Sequence, residues 1–237
     1  MRILIAPLLA GIIAIGPVPR VDADDIIDTS LRTWVTQNLH FENERPPLIR
    51  KQPVRAFIRS DDPQIVAETR REIANFAAAF GLPVAFVTTD INLAVVTAPR
   101  IADGRKPSRT FLADLGLPDA TIDDIVRGAD WSDGCGLYSG RDDRGRILGS
   151  IVAADTSLSP KHLRSCVASG VIFGFGLRTA SSETIEFPHD HLPFLLLGRA
   201  LAGCEQKMGE RMPAEAVRIR DAYLDCMVES LKPKFAE

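Results

Sequence analysis

Apolar and polar positions recur with two different periods along the chain, and the shorter period predicts four strands. Residues 53–59 alternate with period two, which is typical of a strand with one buried face. Two continuous apolar runs, residues 84–88 and 93–98, predict two more strands, and the short joint between them favours neighbouring positions in a sheet. A fourth strand is predicted over residues 147–154.

The longer period predicts four helices, two of which carry clear start signals. Asp62 and Ser159 are each followed directly by a proline, which places an N-cap side chain before a proline at the first helical position. Gly81 is a typical stop signal for the first of these helices. The predicted helices span residues 63–80, 160–175, 191–204 and 214–231.

The helix that follows Ser159 is apolar on nearly every side, which is typical of a helix at the centre of a domain. Its two glycines, Gly170 and Gly174, lie on one face of the helix. Each lowers the stability of the helix by roughly 1 kcal/mol relative to alanine. Because glycine has no side chain, a neighbouring backbone can approach this face of the helix closely. We therefore expect this helix to pack tightly against another element.

The order of these elements is strand, helix, two strands, a long excursion, strand and three helices, and it predicts a single α+β domain over residues 52–237. Residues 99–134, where Gly, Asp, Pro and Arg alternate with weaker helical patterns, are predicted to be a surface excursion. Residues 24–51 mix aromatic and charged side chains and end in a proline-rich stretch, so we expect an N-terminal arm that leads into the domain.

The first 23 residues have the pattern of a secretory signal peptide. Arg2 supplies a positive start, residues 3–16 are uncharged and largely apolar, and residues 21–23 place small side chains where a signal peptidase cleaves. Crossing a bilayer as a helix needs about 20 apolar residues, so a retained anchor is the less favoured alternative. We expect the protein to be exported, to the periplasm or the cell exterior, without stable membrane insertion after cleavage.

Export changes the interpretation of the four cysteines, because thiols pair in an oxidising compartment. Cys135, Cys166, Cys204 and Cys226 allow three pairings. Pairing Cys135 with Cys166 and Cys204 with Cys226 is favoured, since each pair brackets one supersecondary unit. The sequence holds no Cys-x-x-Cys motif, which argues against a thioredoxin-type redox site and a zinc ribbon.

Composition and charge exclude several classes of protein. The chain has 237 residues, of which 25 % are charged and 46 % hydrophobic, as in ordinary globular proteins and unlike disordered chains. Lys and Arg total 28 against 31 Asp and Glu, with no long run of either sign. A nucleic-acid partner is therefore not expected, since it would require a concentrated basic surface.

Histidine spacing argues against a standard zinc hydrolase, which carries two histidines one helical turn apart beside a glutamate. The four histidines are His40, His162, His189 and His191, and none of them is spaced in this way. His189 and His191, with Glu183 or Glu186 nearby, remain an alternative ligand set for a metal-dependent hydrolase. We otherwise expect no catalytic residue, no metal and no cofactor.

Glycine-rich residues 140–145 have the glycine spacing of a phosphate-binding loop, but Arg146 and Ile147 replace the lysine and the hydroxyl residue that such a loop requires. Because a strand rather than a helix follows, this segment is predicted to be a hairpin turn. Ser139 does not lie centrally between glycines as a nucleophile elbow demands, so it is predicted to be an ordinary loop residue.

Aromatic residues suggest two places for a binding partner. Trp131 could line a ligand cleft, although an aromatic side chain that covers a disulfide is the simpler interpretation. A module that recruits another protein would expose an aromatic patch, either at Trp34 and Phe41 or at Trp131 and Tyr138. The identity of the protein or small-molecule partner does not follow from the sequence.

A longer pattern runs from Cys135 to Met208. It consists of a cysteine, a turn, the triplet at 145–147, a strand, Cys166 and the Phe-Gly-Leu sequence at 175–177. Asp190 before a leucine-rich helix and a Met-Gly pair at residues 208–209 continue it. This segment resembles a bacterial family of exported proteins, domain of unknown function 2927. The resemblance implies a zincin-like fold, in which a small mixed sheet packs on a central buried helix with further C-terminal helices.

The chain departs from that family at the positions that matter for chemistry. Where the family carries Glu-Glu and Gln, at the places of the metal ligands in a zincin, this chain has Ser169, Gly170 and Phe173. None of these residues can hold Zn²⁺ or activate water. The resemblance therefore implies a degenerate metallopeptidase-like domain with a binding or structural role in the cell envelope.

Overall fold

The computed structural model describes residues 23–39, 49–99, 101–103, 106–117, 119–128, 134–141, 147–177, 191–208 and 216–235. The helices in these segments are α1 (Ala23–Asn38), α2 (Pro63–Ala79), α3 (Arg109–Asp114), α4 (Asp119–Gly128), α5 (Pro160–Gly174), α6 (His191–Met208) and α7 (Ala216–Phe235). The strands are β1 (Val54–Arg59), β2 (Val84–Phe86), β3 (Leu93–Ala98), β4 (Ala102–Asp103), β5 (Lys106–Pro107), β6 (Cys135–Arg141) and β7 (Ile147–Asp155).

Five of the strands form one mixed sheet in the order β2-β1-β3-β7-β6. The first four run parallel, and β6 at the edge runs antiparallel to β7. Together with the helices, this sheet confirms the predicted α+β class. The pairing of β6 with β7 also confirms a hairpin at this point of the chain, although Gly140 and Arg141 belong to the strand and residues 142–146 lie outside the described segments.

The prediction that the second and third strands are neighbours is wrong, because β1 lies between β2 and β3. Phe86 at the end of β2 and Leu93 at the start of β3 both pair with Ala56 of β1, on opposite sides of it. The chain therefore leaves β2 and enters β3 at the same level of the sheet. Residues 87–92 need only cross β1, so this parallel connection is much shorter than a usual crossover.

Helices cover both faces of the sheet. On one face α2 and α5 pack on the strands, and α6, α7 and α1 pack behind them in the main core. On the other face a second apolar cluster joins the strands to α3 and α4. Leu93 and Val95 of β3 belong to the main core, whereas Ala94 belongs to the second cluster. The continuous apolar run of this strand is thus explained by burial on both faces.

Helix α5 is the central helix, as its composition predicts, and both of its glycines lie against the sheet. A Cβ atom at Gly170 would lie 2.1 Å from Cγ1 of Val152 in β7, and one at Gly174 would lie 2.7 Å from Cδ1 of Leu93 in β3. Cβ atoms do not approach other heavy atoms this closely, so only glycine allows the observed separation. The predicted tight packing is confirmed, although the atoms that approach both glycines belong to side chains and not to a neighbouring backbone.

The segments predicted as an arm and as a surface excursion both contribute to the cores. Within residues 24–51, α1 buries Leu31 and Val35 in the main core; residues 40–48 are not among those described. Within residues 99–134, Ile122 and Ile125 of α4 are buried in the second cluster. The excursion is therefore more than a surface feature, because the apolar second face of β3 and β7 has to be covered.

Both predicted disulfides are present. Cys135 at the start of β6 is bonded to Cys166 in α5, and Cys204 in α6 is bonded to Cys226 in α7. Among the helices of the described segments, none is long and apolar enough to cross a membrane. Residues 1–22, which hold most of the predicted signal peptide, lie outside those segments.

Candidate functional site

The three positions that the resemblance marks lie on the second half of α5. Ser169 and Phe173 are half-buried, and Gly170 is fully buried against β7. A longer side chain at position 170 would have to occupy the volume that Val152 fills. This part of the helix is therefore built for packing, and its residues offer no ligand for a metal ion.

The alternative metal set falls largely outside the described residues. His189, Glu183 and Glu186 belong to a segment that the structure does not describe, and His191 is the first residue of α6. Across the described segments, no group of three or more His, Cys, Asp and Glu side chains could hold a metal ion. All four cysteines are engaged in disulfides, which removes their thiolates as ligands.

A buried arginine lies where α5 ends against the sheet. Arg50 is 1 % exposed, and its Nε donates a hydrogen bond to the carbonyl of Gly174 at 3.0 Å. Its Nη2 donates to the carbonyl of Asn92 at 3.1 Å and to Oγ of Ser150 at 3.2 Å. Burial lowers the pKa of Arg50 to about 10, and the positive charge of Arg55 adds to this effect. The C-terminal end of a helix favours a cation, which offsets part of the cost of burial.

The hydroxyl network around Arg50 includes Ser139. This residue was predicted to lie in a loop, and that prediction is wrong, because Ser139 is part of β6 and pairs with Ser150 of β7. The two Oγ atoms are 3.3 Å apart, and Ser139 also lies 3.5 Å from the carbonyl of Gly149. Neither partner can act as a general base, so the contacts that the structure describes do not make Ser139 a nucleophile.

Sequence reasoning does not find the Arg50 network. Its members are spread over five segments of the chain, and no local motif joins them. The only signal is a single arginine directly after an isoleucine and before the first strand, which is common at the surface of proteins. Burial and a set of carbonyl partners distinguish this arginine, and both are properties of the folded chain.

The aromatic residues considered as partner sites are either half-buried or outside the described segments. Trp34 packs against the main core and Tyr138 against the second cluster. Phe41 and Trp131 lie outside the described residues. Burial, followed by the negative charge of Asp124, raises the pKa of Tyr138. An exposed aromatic patch is therefore not found at Trp34 or Tyr138.

Comparison with known proteins adds no relative. No protein-family model, curated protein or solved structure matches this chain. The resemblance to domain of unknown function 2927 therefore depends on the motif residues alone. What the protein does has to follow from its own side chains and their geometry.

Proposed function

We propose that this protein is an exported, disulfide-bonded, zincin-like domain that binds a partner or serves as a structural component of the cell envelope, without peptidase activity. The observation that carries the proposal is the contact between Gly170 and Val152. At the position where the related pattern has a glutamate, the helix backbone is pressed onto the sheet. A carboxylate could not enter there without displacing the side chain of Val152.

Chemistry at the neighbouring positions supports the same conclusion. A metallopeptidase needs three protein ligands for its metal and a carboxylate that takes a proton from the attacking water. The hydroxyl of Ser169 is a poor zinc ligand, and the ring of Phe173 has no donor atom. With glycine between them, these positions can support neither metal binding nor water activation.

The zincin-like fold is supported by the arrangement of the elements around α5. A small mixed sheet lies against this buried helix, which follows directly on β7, and α6 and α7 complete the chain. This is the order that the resemblance implies. Fold alone does not determine activity, so the residues on α5 carry more weight than the fold.

Export is supported by the two disulfides together with the signal-like start of the chain. Disulfides persist in oxidising compartments and are rare in a reducing cytosol. The first bond ties the edge strand β6 to α5, and the second ties α6 to α7. Both therefore stabilise the elements that surround the candidate site.

Zinc content tests the proposal. The full chain should be exported by a bacterial host, purified without chelators and analysed for bound metals. We expect no stoichiometric zinc and no loss of stability when a chelator is added, because α5 offers no ligands. The hydrolase alternative predicts one zinc per chain that disappears in the double variant His189→Ala/His191→Ala. Stoichiometric zinc with that dependence would overturn the proposal.

A further inference from the structure

A cavity of about 390 Å³ lies on the sheet face opposite α5. Its walls come from α4 on one side and from the strands β3, β6 and β7 on the other. Ile125, Leu148 and Tyr138 are among the lining residues. Leu148 is 47 % exposed, which is high for a large apolar side chain. The volume falls within the range of small-molecule sites, which are mostly apolar with a few polar groups.

The floor of this cavity is a pair of glycines. Gly140 of β6 and Gly149 of β7 lie directly opposite each other in the sheet, and both line the cavity. A Cβ atom at Gly140 would meet only the Tyr138 ring, at 3.8 Å, and one at Gly149 only the carbonyl of Asn92, at 3.7 Å. Both are ordinary contact distances. Side chains would therefore fit at both positions, in contrast to Gly170.

Backbone conformation does not require these glycines either. Neither Gly140 nor Gly149 has a positive φ angle. The register shifts between Gly140 and Arg141, but a bulge demands glycine only where φ is positive. Glycine weakens a strand, and its use in a strand often marks a place where a ligand or another backbone approaches closely. The open floor is thus a feature that packing and backbone geometry leave unexplained.

A single carboxylate on the lining of the cavity offers a partner for a cation. Asp124 of α4 lines the cavity, and its carboxylate is 61 % exposed. Its partner Arg127 lies at 3.3 Å and is 75 % exposed, and such surface pairs are weak and easily exchanged. The Tyr138 ring lies between the Gly140 floor and Gly128 at the C-terminal end of α4, where Nζ of Lys106 already lies 3.5 Å from the carbonyl of Arg127. Arg141, also on the lining, already has an interaction partner.

We propose that this cavity binds a small molecule with a flat apolar body and one cationic group. The body lies against the floor formed by Gly140 and Gly149, where the missing side chains leave room for it. The cationic group lies beside the Asp124 carboxylate and the phenol of Tyr138. This inference rests on the proposed binding role and adds a site and a ligand class, on a face of the sheet that α5 does not touch.

Three indoles of similar size test the ligand class. The disulfide-bonded full chain is titrated calorimetrically with tryptamine, with the neutral tryptophol and with the anionic indole-3-acetate. We expect tryptamine to bind about tenfold more tightly than tryptophol, as one charge-assisted contact provides, and indole-3-acetate to bind most weakly. In Asp124→Asn the preference for tryptamine should disappear. Equal affinities for the three compounds, or no binding of tryptamine, would overturn the proposal.

Filling the floor tests the site. In the double variant Gly140→Val/Gly149→Val we expect tryptamine binding to fall at least about tenfold, while the melting temperature stays the same or rises because valine favours a strand. Gly203→Ala, in the open part of α6, is the matched control and should bind tryptamine like the parent protein. Unchanged affinity in the filled variant would contradict the assignment, and Asp124→Asn still tests it if the filled variant does not fold.

The two proposals can fail separately. If none of the indoles binds and the protein is free of zinc, the cavity assignment is wrong and the non-catalytic role stands. Stoichiometric zinc that disappears in His189→Ala/His191→Ala would overturn the non-catalytic role whatever the indoles do.

Discussion

Because Gly170 has a hydrogen atom in place of a side chain, α5 can lie close to the sheet. The nearest atoms to a Cβ at this position belong to Val152, a buried residue of a central strand that cannot move aside without disturbing its neighbours. Gly203, in α6, has nothing within 4 Å of the same hypothetical atom. Packing therefore requires glycine at position 170, whereas nothing near position 203 requires it.

This contrast predicts opposite effects of alanine at the two positions. Gly170→Ala should lower the free energy of unfolding by about 1–3 kcal/mol, because the added methyl group overpacks the contact with Val152. Gly203→Ala should raise the free energy of unfolding by up to about 1 kcal/mol, since alanine favours a helix and meets no obstacle. Urea denaturation measures both values. A similar change in both variants would contradict the packing described for α5.

Arg50 is the other residue whose environment is unusual. We expect Arg50→Met to lower the free energy of unfolding by at least about 2 kcal/mol, because the carbonyl of Gly174 loses its side-chain donor and the carbonyl of Asn92 keeps only the N–H of Ser150. Arg59→Met at the exposed end of β1 is the control and should change it by less than about 0.5 kcal/mol. Equal denaturation midpoints for the two variants would show that the Arg50 hydrogen bonds do not stabilise the fold.

The raised pKa values of the chain's two tyrosines predict how the stability of the folded state changes in alkali. Burial, then the negative charge of Glu205, raises the pKa of Tyr223 to about 12, and burial with Asp124 raises the pKa of Tyr138. The unfolded phenols ionise near pH 10, so the folded state holds protons that the unfolded chain releases. The contribution of the protonated phenols to the free energy of unfolding is complete below about pH 10 and is lost as the pH rises towards 12.

Ultraviolet absorbance of tyrosinate measures this difference directly. In the folded protein we expect less tyrosinate at pH 10 than in urea, where both tyrosines should be about half ionised at that pH. Tyr223→Phe should remove the component that titrates near pH 12 and leave the Tyr138 component. A folded protein in which both phenols titrate near pH 10 would contradict the burial of Tyr223.

At the scale of elements, each disulfide joins two elements that also pack against each other. The bond between Cys204 and Cys226 joins α6 and α7 over a separation of 22 residues, and that between Cys135 and Cys166 joins β6 and α5 over 31. In both pairs the two elements also lie directly beside each other. The bonds therefore act mainly by restricting the unfolded chain.

Removing one bond should lower stability without changing the fold. For the double variant Cys204→Ser/Cys226→Ser we expect a loss of about 3 kcal/mol in the free energy of unfolding, as the chain-entropy model gives for a loop of this size. Denaturation in guanidinium measures the loss, and circular dichroism should show unchanged helix content. The parent protein in reductant, which lacks both bonds, should lose at least as much; a smaller loss would contradict the interpretation.

At the scale of the whole molecule, two apolar clusters lie on opposite faces of one sheet. Whether the two disulfides of the protein form depends on the compartment, because thiols pair only under oxidising conditions. Protein exported by a bacterial host should show no free thiol when unfolded without reductant, and its intact mass should match residues 24–237. Four free thiols would contradict the expected compartment. The mass of the full chain would instead indicate that the first 23 residues are retained as an anchor.

Much of the fold was predictable from the sequence, and the reason is locality. The starts of α2 and α5 depend on an N-cap residue and a proline next to it, as at Asp62 and Ser159, and their apolar faces depend on a period of a few residues. The disulfide pairs follow from the same local units. The close approach at Gly170 was predictable because glycine in a helix is costly unless the space is needed.

Tertiary structure alone decided which distant segments meet. β1 lies between β2 and β3 because strand pairing is a choice among remote segments, which a short connecting loop does not determine. The partners of the Arg50 side chain lie 42 to 124 residues away in sequence, so its burial has no local signal. The glycine floor likewise exists only because β6 and β7 pair in one register beneath α4. The sequence thus determined the elements that carry local signals, and long-range packing determined the surfaces available for function.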